Sequence, residues 1–557
     1  MIPLLRRSAR PIVLLLAGYL ALLSGPGAAS ATAPTYALIQ GSGSSWAANA
    51  VNQWVAEVDA KDLKVVYTAN GAAQGRKDYA NKSTDFGVTD SPYRGKDPST
   101  GAVDSSLGRS FAYLPVVAGG TAFPYNIQVG GKPVRNLRLS GETLAKIFTN
   151  KITNWNDAAV TADNNGKALP SIPIIPVVRA DGAGVTNQFS TWMTSQYASL
   201  WRDCNGGKSA PTDYFPLNCG EARGQQRAQT GSDGVMNFLK SKGSVGAIAM
   251  EEYSYPLAAD YPVAKLLNKA GYYTLPTQYN VAVALTKAEI NDNPSDPNYL
   301  TQKLDRVYVN PDKRTYVLSS YVYAIIPTAA SDSRMTTAKR QALVDFLKHS
   351  ICVGQSAIGP IGYSPLPVNL VQASFTQVNK LKLADPKVQF DSSIIKNVKD
   401  CHNPTFVPGK PSENYLAKIA PMPADCDRPG QGPCAEGVGS YNLNPGDKGG
   451  TGTKGSGTPT TGAGTGTPGS GTAAPSIDTD GDGVPDAAAP AGAPAADGGT
   501  GTATTSDDIS VVATTLDPDA RSGPPKVLAA LVLGLFGGVL IVPPVVAQAV
   551  ARRKRTR

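Results

Sequence analysis

The chain is poor in histidine, with only His349 and His402 among 557 residues, and its six cysteines include no C-x-x-C pair. Imidazoles and paired thiolates are the usual ligands of a closed zinc site, so their scarcity argues against one. It argues equally against Ser-His-Asp or Cys-His machinery, which needs a histidine base beside the nucleophile. Charged residues are sparse at 17%, and the long apolar runs stand at the two ends. The formal charge of +9 is also terminal: three charges belong to the first ten residues and five to the last six, leaving one for the body. The pI near 9.0 is therefore a targeting effect, and nucleic acid is not an expected partner. Glycine motifs for nucleotides are missing too. Gly41-x-Gly43 lacks the third glycine of a dinucleotide fingerprint, and Gly71 to Gly75 has the wrong spacing for a P-loop.

The ends carry address signals. Arg6, Arg7 and Arg10 precede the apolar run Ile12 to Leu23, and Ala29-Ser30-Ala31 offers a cleavage site, so residues 1–31 read as a secretory signal peptide. No cysteine stands near that point to carry a lipid. Val527 to Ala551 is a run of 25 residues without a charge, enough for one transmembrane helix, with Pro543-Pro544 as a kink. The basic tail 552–557 is expected to stay cytoplasmic. The body is thus expected outside the cell, single-pass and membrane-tethered. Residues 443–525 are dominated by Gly, Thr, Pro, Ala and Ser and read as a disordered linker. Its reach is roughly 50 Å.

Within that linker Asp478, Asp480, Asp482 and Asp486 occupy positions 1, 3, 5 and 9 of a DxDGDGxxD segment. Alternating carboxylates of this kind wrap Ca2+, resembling thrombospondin type 3 and related bacterial repeats. The copy is single and lacks a glutamate at position 12, so a weak site and a solvated acidic patch both stand as readings. In a secreted chain the cysteines are expected as disulfides, and sequence order makes 204–219, 352–401 and 426–434 the simplest of fifteen pairings.

Between the ends, strands and helices alternate. Tyr36 to Gln40, Lys64 to Thr68, Thr84 to Asp90, Ala112 to Ala118, Pro173 to Val178, Val245 to Ala249 and Tyr316 to Ile326 read as strands. Helical spacing runs over Ala47 to Val58, a segment ending near Asn81, Leu139 to Thr149, a stretch beginning at Asn187, and Lys339 to Ser350. This order predicts an α/β fold with a mostly parallel sheet, in which ligands bind at strand carboxyl ends. The key stretch is Val177-Val-Arg-Ala-Asp-Gly-Ala-Gly-Val-Thr186, a strand, a glycine turn and a helix start. Such a junction gathers backbone N–H groups and a positive helix end beside Arg179 and Asp181, which is chemistry for gripping an oxyanion. A tight turn with a surface ion pair is the bland alternative.

Strand-end motifs recur in order along the chain: Gly41-Ser-Gly-Ser-Ser-Trp46, Thr84-Asp-Phe-Gly-Val-Thr-Asp-Ser-Pro92, Leu114-Pro-Val-Val117, Leu139-Ser-Gly-Glu-Thr-Leu144, the Arg179 stretch, Gly243-Ser-Val-Gly-Ala-Ile248 and Tyr363-Ser-Pro-Leu-Pro367. Together they resemble the phosphate-binding proteins of the phosphate-specific ABC transporter, over about Tyr36 to Val371. The resemblance implies a type II periplasmic-binding fold within residues 34–442. Lobe I would comprise about 34–120 and 255–400, lobe II about 121–254, and a disulfide-bearing extension about 401–442.

The resemblance also implies roles. Arg179 would grip the anion, with Asp181 holding the guanidinium. Asp90 would accept a proton from phosphate, which excludes fully ionised sulfate. Ser44, Ser45 and Trp46 would donate from lobe I, and Gly182, Ala183, Gly184, Val185 and Thr186 through their amides from lobe II. The family usually carries hydroxyl residues where this chain has Ala72, Ala183 and Val185, each loss being worth about 1.5–3 kcal/mol. Thr68, Thr89, Ser91 or Thr186 turned inward, or Arg76, are candidate replacements. The implied function is a monomeric receptor that delivers phosphate, or a related phosphorylated ligand such as a phosphonate, to an ABC permease. A surface protein using the fold for adhesion or sensing is the alternative, and a phosphatase has no base or nucleophile pair to support it.

Overall fold

The computed structural model describes residues 36–96, 101–217, 219 and 225–435, all within one compact unit spanning 1–452. The expected signal peptide, linker, Ca2+ loop, apolar span and basic tail lie outside the described residues. Among the described residues no helix is long and apolar enough to cross a membrane.

Two sheets organise this unit. The larger has six strands in the order Glu251–Glu252, Phe111–Ala122, Ser319–Pro327, Phe86–Thr89, Ile39–Gly43 and Val65–Thr68. Ile39–Gly43 pairs in parallel with both Val65–Thr68 and Phe86–Thr89. The other pairings are antiparallel, so the expectation of a mostly parallel sheet is corrected here. The reason lies in the two long strands Phe111–Ala122 and Ser319–Pro327, which run past each other in opposite directions as the chain leaves and re-enters the region. The second sheet is parallel, in the order Arg227–Gln229, Ile175–Arg179 and Ala247–Ala249.

Strand chemistry explains these choices. Phe111–Ala122 and Ser319–Pro327 are apolar along nearly their whole length and buried on both faces, as central strands must be. Ile175–Arg179 is likewise buried throughout. The first strand begins three residues later than its apolar run, at Ile39, and continues through Gly41-Ser42-Gly43. There glycine is required: a Cβ on Gly41 would stand 2.1 Å from the Phe86 ring, and one on Gly75 would stand 2.3 Å from the Gly43 backbone. The helix after Arg179 also starts earlier than its periodicity, at Gly184 rather than Asn187. Its first turn is glycine and β-branched residues, which hide a helical signal.

The chain crosses between the sheets twice, side by side. Beyond Ala122 it joins the second sheet, where Tyr125 bridges Ile248 and the Asn126 amide donates to Ala247. It returns through Glu251 and Glu252, which pair with Ala122 and Thr121. The large core contains Trp46, Trp54, Trp155, Trp192 and Trp201, all buried, so the tryptophans act as packing.

The three disulfides are Cys204–Cys219, Cys352–Cys401 and Cys426–Cys434. The C-terminal extension is docked by buried polar contacts as well. The Lys265 ammonium meets Asp427 at 2.8 Å, and Arg138 donates to the carbonyls of Cys426 and Gln431. Cys352–Cys401 closes a loop with a sequence separation of 49. Chain-entropy reasoning makes that closure worth up to about 4 kcal/mol. Replacing both cysteines by serine is expected to lower the unfolding free energy by about 2–4 kcal/mol in a denaturant titration.

Candidate ligand site

The carboxyl ends of three parallel strands define one wall of the site. Gly43 and Thr89 end at the same edge of the large sheet, so Ser44, Ser45, Trp46 and Asp90 emerge together. The edge is stitched by Ser44 N–H donating to Val88 O at 2.9 Å and Gly71 N–H donating to Gly43 O at 2.8 Å. Ala72 opens the helix Ala72–Ala80 immediately after Gly71, whose φ of 97° belongs to the glycine-tolerant region. A Cβ on Gly71 would lie 2.7 Å from Asp181 Oδ2, so the second wall is already close.

That second wall comes from the small sheet. Side chains alternate along a strand, so Arg179 shares a face with Val177 and Ile175. This face is covered by the helix Gly231–Lys240 through Val235, Met236 and Leu239. Arg179 is therefore delivered, 1% exposed, to the start of that helix. Its Nε donates to Asp181 Oδ1 at 2.8 Å and its Nη2 to Oδ2 at 2.5 Å, a two-pronged grip. Asp181 is anchored in turn by the Gly231 amide at 3.0 Å. Among the described residues the remaining nitrogen, Nη1, meets the Ser232 hydroxyl alone, at 3.3 Å. Burial opposes the Arg179 charge, but the Asp181 hydrogen bonds and charge more than offset this, and its pKa is raised.

The two walls meet. Ser45 Oγ lies 3.0 Å from Ser232 Oγ, the Ala73 amide donates to Gly182 O at 3.1 Å, and Gln188 Nε2 donates to Asp90 O at 2.8 Å. The N-terminal residue of the helix Gly184–Gln196 abuts Asp90: a Cβ on Gly184 would fall 1.9 Å from Asp90 Oδ2. Asp90 is 2% exposed, and its Oδ2 has no hydrogen-bond partner among the described residues. Burial pushes its pKa up to about 6, against the lowering pull of Ser44, Arg179 and Arg76. A buried carboxylate oxygen without a donor is costly, so this wall is built to receive one.

Ser45, Asp90, Arg179, Asp181, Gly182 and Gly184 come together where the walls meet, whereas Trp46 and Val185 pack into the core. All the anion-site candidates are buried except partly exposed Asp181. Several expected details differ. The Ala183 amide is committed to Asp213 O at 2.9 Å, which removes it from the set of free donors. Ala72, Ala183 and Val185 present no hydroxyl. Thr186 directs its hydroxyl at Met250 Sδ, 4.0 Å away, and Thr68 is exposed. Thr89 and Ser91 do turn inward, but to Arg76, whose Nη1 reaches them at 3.1 and 3.0 Å. Arg76 itself is clamped by Asp104 and, across the interface, by Asp213 at 2.6 Å. Its charge is spent holding the walls together. Beside it runs a cleft of about 800 Å³ whose lining includes Arg76, Asp90 and Asp213 but not Arg179, so the gripping guanidinium is sealed from that opening.

Ser232, Asp213, Gln188 and Glu251 escaped the sequence reading. Ser232 and Asp213 sit in loop-like polar stretches with no spacing to mark them. Glu251-Glu252 left a signal, two adjacent acids directly after an apolar strand. Because Gly184 touches Asp90 directly, a Gly184→Ala substitution is expected to hold the walls apart. Small-angle scattering of the variant should give a larger radius of gyration than wild type, and an unchanged radius would refute the contact.

The family described as "PBP superfamily domain" matches residues 28–349. Phosphate-binding protein PstS 3 of Mycobacterium tuberculosis is 31% identical over 346 residues, covering 62% of this chain and 86% of that protein. Phosphate-binding protein PstS of Methanocaldococcus jannaschii is 29% identical over 363 residues, covering 63% of this chain and 87% of its own length. A solved structure of the periplasmic phosphate-binding protein PfluDING, bound with phosphate, aligns at a TM-score of 0.48 and 16% identity over 64% of this chain and 100% of that one. The chain belongs to the PBP superfamily and, within it, to the family of PstS phosphate-binding proteins.

Proposed function

We propose that this protein is an extracellular, membrane-tethered receptor that binds inorganic phosphate, or a closely related phosphoryl group, for uptake by an ABC permease. The observation that carries the reading is the pairing of a buried, oriented guanidinium with a buried carboxylate oxygen that lacks a donor. Arg179 supplies charge and a fork-shaped donor. Asp90 repels any oxyanion that brings no proton and accepts one from an oxyanion that does. That combination selects a protonated phosphate over fully ionised sulfate.

Further donors surround the pair. The first-turn amides of the helix Gly184–Gln196 have no partner within their own helix and aim a positive dipole end at Asp90 and its neighbours. Ser45 and Ser232 add hydroxyls from opposite walls. The lost hydroxyls at Ala72, Ala183 and Val185 point to a weaker phosphate site than one carrying all three. The apolar run 527–551 and its basic flank support tethering, with the linker keeping the receptor near its permease at a raised effective concentration.

Isothermal titration of the purified protein with phosphate tests the assignment. Arg179→Ala is expected to weaken binding on the order of 100-fold or more, about 3 kcal/mol. Asp90→Asn is expected to admit sulfate, which wild type rejects. Heat with sulfate in wild type, or undiminished phosphate binding by Arg179→Ala, would overturn the proposal.

A further inference from the structure

The return strand carries a buried carboxyl to which the phosphate reading gives no task. Glu251 lies on the short strand through which the chain returns between the two walls, paired with Ala122. It is 0% exposed. Its Oε1 accepts the neighbouring Glu252 amide at 2.8 Å. Its Oε2 is buried with no hydrogen-bond partner among the described residues. No lysine or arginine forms an ion pair with it among the described residues, yet the charge that acts most strongly on it is Arg179. The Ser232 hydroxyl, which also meets Arg179 and Ser45, lies beside it. Glu251, Arg179, Ser232 and Ser45 therefore form one buried polar cluster that joins the two walls.

A structural role does not account for a carboxyl here. The strand pairing to Ala122 uses the backbone, and a buried acid with one orphan oxygen is costlier than an apolar residue of the same size. A ligand changes that balance. Resting on the reading of the cleft as a phosphate site, we propose that Glu251 is a second proton-managing carboxyl, which takes up a proton from solvent when the anion binds and turns its O–H toward the bound oxyanion. Asp90 accepts a proton from the ligand. Glu251 would supply the opposite function, a neutral donor, on the Arg179 side.

The groups around Glu251 fix the sign of this coupling. Arg179, the Glu252 backbone amide and the Ser232 hydroxyl favour its ionised form, whereas Asp181 opposes it; Tyr255 lies in the same field. Asp233, at the start of the Gly231–Lys240 helix, adds to the negative field acting on Tyr255. Burial is the largest influence and pushes the Glu251 pKa to about 7. An anion placed on Arg179 removes its favourable partner and adds repulsion, so the pKa rises further on binding. The bound state then holds more protons than the free state, and affinity falls as pH rises through neutrality.

Proton uptake can be counted by titrating the full-length protein with inorganic phosphate near pH 7 in buffers of different ionisation heat. Wild type is expected to take up about half a proton more than Glu251→Gln, the fraction missing from a carboxyl at its midpoint. The variant should also show a flatter decline in affinity from about pH 6 to 8.5. Glu252→Gln is the control: its carboxyl accepts the Ser254 amide at 2.7 Å and lies against Gly119 rather than Arg179, so uptake should not change. Equal uptake in wild type and Glu251→Gln would overturn the inference and leave phosphate binding standing. No phosphate heat from wild type at any pH would overturn both. Should the variant not fold, the carbon-13 shift of the Glu251 carboxyl in wild type reads the same event. Its midpoint is expected to move upward with phosphate, and an unmoved midpoint would refute the proposal.

Discussion

The buried charge of Arg179 is the constraint around which the site is arranged. Taking a guanidinium out of water costs several kcal/mol, and only well-aimed partners offset it. Asp181 supplies two of them, and the Gly231 amide keeps Asp181 in place. The strand Ile175–Arg179 and the helix Gly231–Lys240 therefore act as a fixture, leaving one edge of the guanidinium turned toward Ser232 and the opposite wall. A cation so held loses little on meeting an anion, because its orientation is already set.

Two buried carboxyls, Asp90 and Glu251, share the site with that cation. Asp90 and Glu251 are both raised by burial, to about 6 and about 7. Each has an oxygen without a hydrogen-bond partner among the described residues, and under the proposed phosphate reading each would penalise an oxyanion that brings no proton. Arg76 belongs to a different economy: Asp104 and Asp213 neutralise it, and its bond to Asp213 fastens one wall to the other.

Much of this was legible along the chain, and particular residues show why. Arg179, Asp181 and Asp90 follow apolar runs that end in glycine or polar turns, so their position at a strand edge could be read locally. The disulfides were legible as well, because each joins cysteines adjacent in sequence order. The helix start at Gly184 was not, since glycine and β-branched residues carry little helical signal. Nor was the mixed large sheet, whose direction is set by strands some 200 residues apart, roughly twice the span of a small domain.

By itself, the amino-acid order determined the local pieces: which runs become buried strands, where glycine lets backbones approach, and which charges stand at strand ends. These follow from side-chain volume, φ freedom and period, which act over a few residues. Only the tertiary structure decided partnership. Ser45 meets Ser232, Arg76 meets Asp213, and Gly184 presses on Asp90 through contacts far apart in the chain. The field at a buried charge depends on distance and desolvation in space, and neither quantity exists until the two walls have closed.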